Sequence, residues 1–153
     1  MGPVLNLPVI HLDAHYWQPG WQETPADDWQ DYVRDAVKQP HWVMDGNYLS
    51  TLGARLSRAD TVIYLHCPRW RSYLRVFSRW LRYWHRTRPD MGPGCLEKVD
   101  WEFIRWIWRF PEDYQPMLMA ELEQQDHPVQ IIHLYNRQGT DLFLKNISLP
   151  PTN

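Results

Sequence analysis

The stretch Trp42-Val43-Met44-Asp45-Gly46-Asn47-Tyr48 decides the fold, because a short apolar run ends abruptly at an acid, a glycine and an amide. Such a run fits a buried strand of a parallel sheet, and Asp45 then lies at the carboxyl end of that strand. Gly46 allows the chain to turn with a positive φ. Open α/β sheets bind ligands at this edge, although Asp-Gly-Asn is also common in ordinary turns.

Three more strands are predicted along the chain, with helices between them. The first covers residues 7–12 and is followed by Asp13, so a second acid follows a strand, and an aromatic loop covers residues 14–21. The other two strands are predicted at residues 61–65 and 129–134. Helices are predicted at residues 25–38 with Thr24 as N-cap, 68–86, 101–110 after Asp100, 116–125 and 141–145, with a polar turn at 136–140. Strands that alternate with helices indicate an α/β fold, in which helices sandwich a parallel sheet.

The composition is that of one globular domain. The chain has 153 residues, of which 44% are hydrophobic and 22% are charged. Cys67 and Cys95 form no CxxC pair and are too few for a disulfide framework, which is typical of a reducing compartment. No apolar run approaches the roughly 18 residues that a membrane-spanning helix needs. The sequence therefore predicts a cytoplasmic protein with no membrane partner.

Arginines are concentrated in one part of the chain, since residues 61–89 contain seven arginines and no acid. In the helix predicted there, one face is expected to carry Arg71, Arg75, Arg79, Arg82 and Arg86, while Phe77, Trp80, Leu81 and Trp84 are expected to pack inward. Such a face fits a solvated helix surface, a phosphate-binding lid or a nucleic-acid-binding surface. The lack of acids argues against the first, and the acids at two strand ends favour a small phosphorylated ligand with Mg²⁺.

A weaker metal motif follows the first strand. His11, Asp13 and His15 alternate and would share one side of an extended chain, as the ligands of a zinc site could. A strand that ends near Asp13 would separate them, so this site is the less favoured interpretation. No Ser/His/Asp or Cys/His nucleophile arrangement is present in the sequence.

Five segments together resemble the DNA topology modulation proteins, a group of adenylate-kinase-like P-loop NTPases. The segments are LPVIHLDAHYWQPGW, WVMDGNY, RADTVIYLHCPRW, RTRPDMGPGC and DWEFIRWIWRF, and the resemblance runs from about residue 5 to residue 144. It implies a parallel sheet of order 2-3-1-4-5 and an arginine-rich helical lid. By this resemblance, residues 1–149 form a single nucleotide-kinase-like domain with its lid at about 86–100, and residues 150–153 are a frayed C-terminus.

The resemblance also implies roles for particular residues, with ATP and Mg²⁺ as cofactors. Asp45 would hold Mg²⁺ through water, and Arg137 would lie against the nucleotide base. The substrate, a nucleotide or a small phosphorylated or hydroxyl compound, would contact Asp13, Tyr16, Trp17, Gly46, Asn47 and Arg55. The transferred phosphate would contact Arg79, Arg82, Arg86 and Arg88, which act in catalysis with Asp45. His66 departs from the family, where an acid is common after this strand.

The largest departure is the missing first strand and its P-loop, GxxxxGK[ST], because no glycine in this sequence is followed by lysine. We therefore expect an N-terminally truncated P-loop NTPase whose full-length form transfers phosphate from ATP to a nucleotide or small acceptor. Whether this chain is itself an enzyme stays open. The alternatives are a non-catalytic module that binds phosphate or nucleic acid, an inactive relic, or an oligomer that completes the sheet. The strands before and after the central gap would either stay apart or pair directly.

Overall fold

The computed structural model describes residues 1–125 and 128–148, and these residues have the predicted α/β class of fold. The strands are β1 (Val9–His11), β2 (Trp17–Gln18), β3 (Gln22–Glu23), β4 (Val43–Asp45), β5 (Thr61–Leu65) and β6 (Gln130–Leu134). The helices are α1 (Gly2–Leu5), α2 (Leu12–Tyr16), α3 (Ala26–Ala36), α4 (Leu52–Leu56), α5 (Arg69–Arg82), α6 (Trp101–Asp113), α7 (Gln115–Glu123) and α8 (Arg137–Ser148), with a 3₁₀ turn at Leu49–Thr51 before α4. The predicted frayed end at 150–153 lies outside the described residues.

The strands form separate pairs rather than one sheet. Strands β1 and β4 are parallel, with His11 opposite Asp45, and β5 and β6 are parallel along their whole length. The short strands β2 and β3 form an antiparallel ribbon. Within the described residues, no ladder joins β4 to β5. Of the two arrangements expected for these strands, they adopt the one in which they stay apart.

Each parallel pair has its own hydrophobic core. Against β1 and β4, helix α3 packs its apolar stripe, and the buried residues there are Ile10, Leu12, Trp29, Val33, Ala36 and Val37. The other core lies between β5, β6, α4 and α7, and its buried residues are Leu52, Leu56, Leu118 and Leu122. Helix α4 and the turn before it contact both α3 and α7, so this segment connects the two cores.

Several predicted boundaries in the N-terminal half are wrong. Strand β1 is shorter than predicted, because helix α2 starts at Leu12, whose side chain is fully buried, and occupies the first part of the predicted loop. Thr24 does not cap helix α3. Its hydroxyl donates instead to the carbonyls of His15 and Tyr16, at 3.2 and 2.7 Å, and Pro25 occupies the N-cap position. The side chain of Thr24 therefore fixes the end of α2.

Helix boundaries in the C-terminal half also differ. Helix α5 ends at Arg82, and the chain then turns at His85, which has a φ of 52°. Helix α6 has Asp100 as its N-cap, as predicted, but it continues through Pro111 to Asp113. The predicted turn at 136–140 belongs to helix α8, because the Asn136 side chain accepts from the Gly139 amide at 2.8 Å and so acts as a cap.

The lid segment, residues 86–100, packs against the loop that follows α2. The Cys95 thiol is buried and lies 3.3 Å from the carbonyl of Gln18, and the Trp21 indole donates to the Leu96 carbonyl at 2.7 Å. Gly92 lies so close to the backbone of Ala14 that a Cβ would come within 2.8 Å of its carbonyl oxygen. The lid segment is therefore held against this part of the chain by close contacts. In the described part of the chain, no helix combines the length and apolar composition needed to cross a membrane.

Candidate functional site

The carboxyl ends of β1 and β4 bring the two predicted acids to one edge. Asp45 ends β4, and its Oδ2 atom lies 3.1 Å from Nδ1 of His11 on β1. Both side chains are open to solvent, at 71% for Asp45 and 41% for His11. An exposed pair of this kind adds little to stability, so the Asp45 carboxylate stays available to a ligand.

Asp13 follows β1 in the first turn of α2 and is held by Tyr48. The Tyr48 hydroxyl donates to Asp13 Oδ1 at 2.6 Å. Burial, followed by this hydrogen bond to the carboxylate, raises the pKa of Tyr48 far above its usual range, so the hydroxyl remains a donor at any ordinary pH. The Tyr48 ring contacts the rings of Tyr16 and Trp29, at centroid distances of 4.6 and 4.9 Å. The position of Asp13 is therefore fixed by an aromatic cluster.

The turn between Asp45 and Tyr48 is held by Arg55 of α4. The Arg55 guanidinium is buried and donates to the carbonyls of Gly46 and Tyr48, at 3.0 and 2.6 Å. Burial lowers the pKa of Arg55 to about 10, so the side chain is still charged at neutral pH. Arg55 thus stabilises the turn at the edge. Its hydrogen bonds go to backbone carbonyls, and not to a site where the predicted substrate could bind.

A cleft of about 380 Å³ lies at the carboxyl end of β5 and reaches the turn after β4. Asn47 borders it on the β4 side, and the first turn of α5 borders it on the other side. Its walls also include Tyr64, His66, Cys67, Arg69, Ser72, Trp106 and Phe110. The cleft therefore joins the two halves of the fold at the edge where parallel sheets bind ligands.

The arginines assigned to phosphate divide into paired and exposed residues. Buried Glu97 contacts two of them, at 2.8 Å from Nε of Arg79 and 2.8 Å from Nε of Arg88, although the Arg88 N–H is not aimed well enough for a hydrogen bond. Arg88 also donates to Asp90 at 2.9 Å. Arg82 and Arg86 are exposed. The acids that pair with these arginines thus come from outside residues 61–89.

The remaining predicted residues lie at different distances from the cleft. Tyr16 and Trp17 belong to the aromatic cluster around Tyr48, with their own rings 5.0 Å apart. Arg137 is 93% exposed in the first turn of α8, 3.8 Å from Asp141, and does not line the cleft. The structure thus brings Asp13, Asp45, Gly46, Asn47 and Arg55 together and leaves Arg137 apart from them.

The alternating metal motif does not form a site. Helix α2 begins directly after His11, so the alternation ends there, and the His15 ring stacks on Tyr32 with centroids 4.5 Å apart. Among the described residues, no group of three or more His, Cys, Asp or Glu side chains is arranged to hold a metal ion.

Sequence analysis missed a histidine pair beside the cleft. His66 Nε2 and His133 Nδ1 are 2.9 Å apart, so one ring donates to the other. The His66 ring stacks on Tyr135 with centroids 4.1 Å apart. The register of the two parallel strands could have revealed the pair, because Tyr64 lies opposite His133, and His66 follows Tyr64 by two residues, just beyond the end of β5.

Stability should fall in acid because of this pair. Burial, and secondly the charge of His133, lower the pKa of His66. In the unfolded chain His66 has its ordinary pKa of about 6.5, so below that pH the unfolded chain binds a proton that the folded protein resists. Above it both states are neutral and the contribution is zero. We expect the free energy of unfolding to fall less between pH 8 and pH 5.5 in His66→Gln than in the wild type. Urea titrations at both pH values measure it.

His41→Gln is the matched control, because it replaces an exposed histidine outside the pair. The pKa of His15 is also lowered by burial, so part of the acid dependence should remain in His66→Gln. An identical pH dependence in His66→Gln and the wild type would contradict the assignment.

Comparisons with known proteins give no family. The chain matches no family model, no curated protein and no solved structure. The resemblance to the DNA topology modulation proteins therefore stays a prediction.

Proposed function

We propose that this chain is a P-loop-kinase-like domain related to the DNA topology modulation proteins, and that its strand edge binds a phosphorylated ligand with Mg²⁺. The main support is the strand pairing, because β1 pairs with β4 and β5 pairs with β6, each pair in parallel. In a sheet of order 2-3-1-4-5, the two outer pairs have this arrangement, and a central strand separates them. The β4 and β5 edges that face no partner among the described residues are the positions next to such a strand.

The residues at the edge fit a magnesium ion bound through water. Mg²⁺ keeps several waters and commonly uses one or two carboxylates together with substrate phosphates. Asp45 offers an exposed carboxylate, whose Oδ2 atom contacts His11. When bound there, the ion would supply positive charge to ligand phosphates. Asn47 lies two residues away on the wall of the cleft and offers an amide to the same ligand.

The same residues do not fit the triphosphate of ATP. A P-loop surrounds the phosphates with backbone amides and supplies a lysine, whereas this sequence has no Gly-Lys pair. Arg69 lines the cleft, but its guanidinium already donates to Glu112 at 2.6 Å. We therefore derive no transfer step for this chain. Transfer of phosphate from ATP to a nucleotide or small acceptor is the activity proposed for a form that contains the P-loop.

Calorimetric titration with AMP and with ATP, each with and without Mg²⁺, tests the proposal. We expect Mg²⁺ to strengthen the binding of AMP, and we expect ATP, whose triphosphate the site does not fit, to bind no more tightly than AMP. Asp45→Asn should weaken the Mg²⁺-dependent part of AMP binding by about tenfold, since it removes the ion's carboxylate. Asp27→Asn changes an exposed acid on α3 and is the matched control. If Mg²⁺ strengthens binding equally in Asp45→Asn and Asp27→Asn, Asp45 does not belong to the site. If neither nucleotide binds, the proposed function is wrong.

A second candidate is a module that binds a phosphorylated ligand without catalysis. It is favoured by Glu97, because this buried acid already neutralises two arginines assigned to the transferred phosphate, Arg79 and Arg88. Binding without release of phosphate from ATP, measured over hours, is the result expected of such a module. Mg²⁺-dependent phosphate release that disappears in Asp45→Asn would favour the catalytic function instead.

A further inference from the structure

Helix α5 exposes an apolar stripe, and three residues of the stripe, Phe77, Leu81 and Trp84, were expected to pack inward. Its members lie four and three residues apart, which places the first four on one face of the helix and the last one two residues beyond its end. Each is more than half exposed: Trp70 58%, Leu74 59%, Phe77 58%, Leu81 57% and Trp84 51%. We call these five residues the α5 stripe. At roughly 100 Å² for each half-exposed side chain, the stripe covers on the order of 500 Å², which is at the upper end for a patch on a soluble monomer.

The stripe is exposed because α5 uses a different face to pack against α6. The Tyr73 hydroxyl donates to the Ile104 carbonyl at 3.4 Å, and the Arg79 guanidinium lies 5.6 Å from the centre of the Phe103 ring. At about 100° per residue, Tyr73 lies beside the stripe and Arg79 lies on the opposite side of the helix. No residue of α5 is buried. Among the described residues, the packing of α5 therefore leaves the stripe more than half exposed.

Arginines border the stripe on the side away from α6. Arg71, Arg75 and Arg82 are exposed and lie about 60–140° around the helix axis from the stripe. Within the described residues, none of the three forms an ion pair with an acid, and Arg71 lies 5.2 Å from the centre of the Trp70 ring. The α5 surface thus combines an exposed apolar stripe with positive charge that no acid neutralises among the described residues. A partner that covers it must offer both apolar groups and negative charge.

We propose that α5 docks the protein on the surface of an anionic lipid bilayer. Helices that lie in a bilayer interface carry Trp, Phe and Leu on one face and Arg or Lys beside it. Here Leu74, Phe77 and Leu81 would enter the acyl boundary, and the arginines would contact lipid phosphates. Trp70 and Trp84, at the two ends of the stripe, are the residue type enriched at membrane interfaces. The sequence-based expectation of no membrane partner rested on the lack of a helix that could cross a bilayer. Helix α5 would instead lie on the bilayer surface.

Two other partners fit these observations less well. A two-fold antiparallel contact between the stripes of two copies would bring Arg71, Arg75 and Arg82 of both copies to the same side, where like charges repel. Nucleic acid would satisfy the arginines and could stack on aromatic rings, but the aliphatic side chains of Leu74 and Leu81 have no counterpart on a phosphate backbone. The lipid surface alone satisfies both the apolar and the charged parts.

Vesicle sedimentation tests the proposal with vesicles of phosphatidylcholine alone and of phosphatidylcholine with phosphatidylglycerol in about a 3:1 ratio. We expect the protein to bind the mixed vesicles at least about tenfold more strongly than the neutral ones. The triple variant Leu74→Ser, Phe77→Ser, Leu81→Ser should lose at least about tenfold in binding. Leu142→Ser is the matched control, because Leu142 is an equally exposed leucine on α8, at 53%.

The charged part of the surface is tested separately. Arg75→Gln and Arg82→Gln should each weaken binding to the mixed vesicles by about fivefold, which corresponds to about 1 kcal/mol per arginine near an anionic surface. Arg58→Gln, which changes an exposed arginine after α4, should have no effect. Circular dichroism spectra equal to wild type show that the variants fold.

Three outcomes would overturn the proposal. The first is no binding to mixed vesicles, or equal binding by the wild type and the serine triple variant. The second is binding to duplex DNA that survives the triple substitution, combined with no vesicle binding, which assigns the surface to nucleic acid. The third is a dimer in light scattering that the triple variant converts to a monomer, which assigns the stripe to a second copy. Nucleotide binding at the cleft is independent of all three.

Discussion

Replacing Glu97 with glutamine is expected to lower the free energy of unfolding by about 3 kcal/mol. Glu97 is 2% exposed and lies between Arg79 and Arg88, the latter with only 9% of its side chain exposed. Glutamine keeps the volume but removes the charge, so Arg88 is left as a buried cation. The loss should lie at the lower end of the range for broken buried ion pairs, because Asp90 still contacts Arg88. Urea unfolding followed by circular dichroism measures it.

Glu112→Gln is the matched control for this prediction. Glu112 also pairs with an arginine, Arg69, at 2.6 Å, but its side chain is 66% exposed. An exposed pair contributes less than about 1 kcal/mol, so this variant should unfold almost as the wild type does. Equal losses in Glu97→Gln and Glu112→Gln would show that burial of Glu97 does not set its contribution.

The Glu97 cluster also shows why local sequence patterns misjudged the arginines. The absence of acids between residues 61 and 89 suggested free positive charge, because pairing within one helix depends on neighbours three or four residues away. Glu97 reaches Arg79 across the turn that follows α5, and Glu112 reaches Arg69 from the next helix. Contacts of this kind depend on how the chain folds back, which spacing along one helix does not encode.

Strands β4 and β5 were predicted well because their signals are local. Strand β5 has its predicted bounds, and β4 ends at Asp45 as predicted, since a short apolar run closed by an acid and a glycine is a strong pattern. The parallel pairing followed from strands that alternate with helices. By contrast, the inward packing of Phe77 and Leu81 was wrong, because an apolar stripe indicates which face is apolar but not whether another element covers it.

Part of the candidate site was also beyond the reach of sequence patterns. The two acids were identified from the strand ends, and both lie at that edge. The His66–His133 pair depends on the register between β5 and β6, which are separated by more than 60 residues of chain. The role of Arg55 depends on its burial, because only a guanidinium enclosed beneath the turn can donate to the carbonyls of both Gly46 and Tyr48.

Gly46→Ala is expected to lower the free energy of unfolding by about 3 kcal/mol, because this glycine meets two independent constraints. Its φ of 145° lies in a region that residues with a side chain rarely adopt, which costs about 1–3 kcal/mol. A Cβ at this position would also come within 2.8 Å of Leu12 Cβ. Leu12 is fully buried, so it cannot move aside without disturbing the core, and such overpacking adds about 1–3 kcal/mol.

Two other glycines separate the two constraints. Gly20 has a φ of 79° with nothing within 4 Å of an added Cβ, so Gly20→Ala should show the backbone cost alone, about 1 kcal/mol. Gly53 lies inside α4, where an added Cβ would meet only the end of the Glu121 side chain at 3.3 Å, so Gly53→Ala should be neutral or stabilising by up to about 1 kcal/mol. Chemical denaturation of the three variants gives the comparison. If Gly46→Ala loses no more stability than Gly20→Ala, contact with Leu12 does not constrain the turn. A larger loss means that the core beneath β1 fixes the turn that follows Asp45, and with it the geometry of the strand edge.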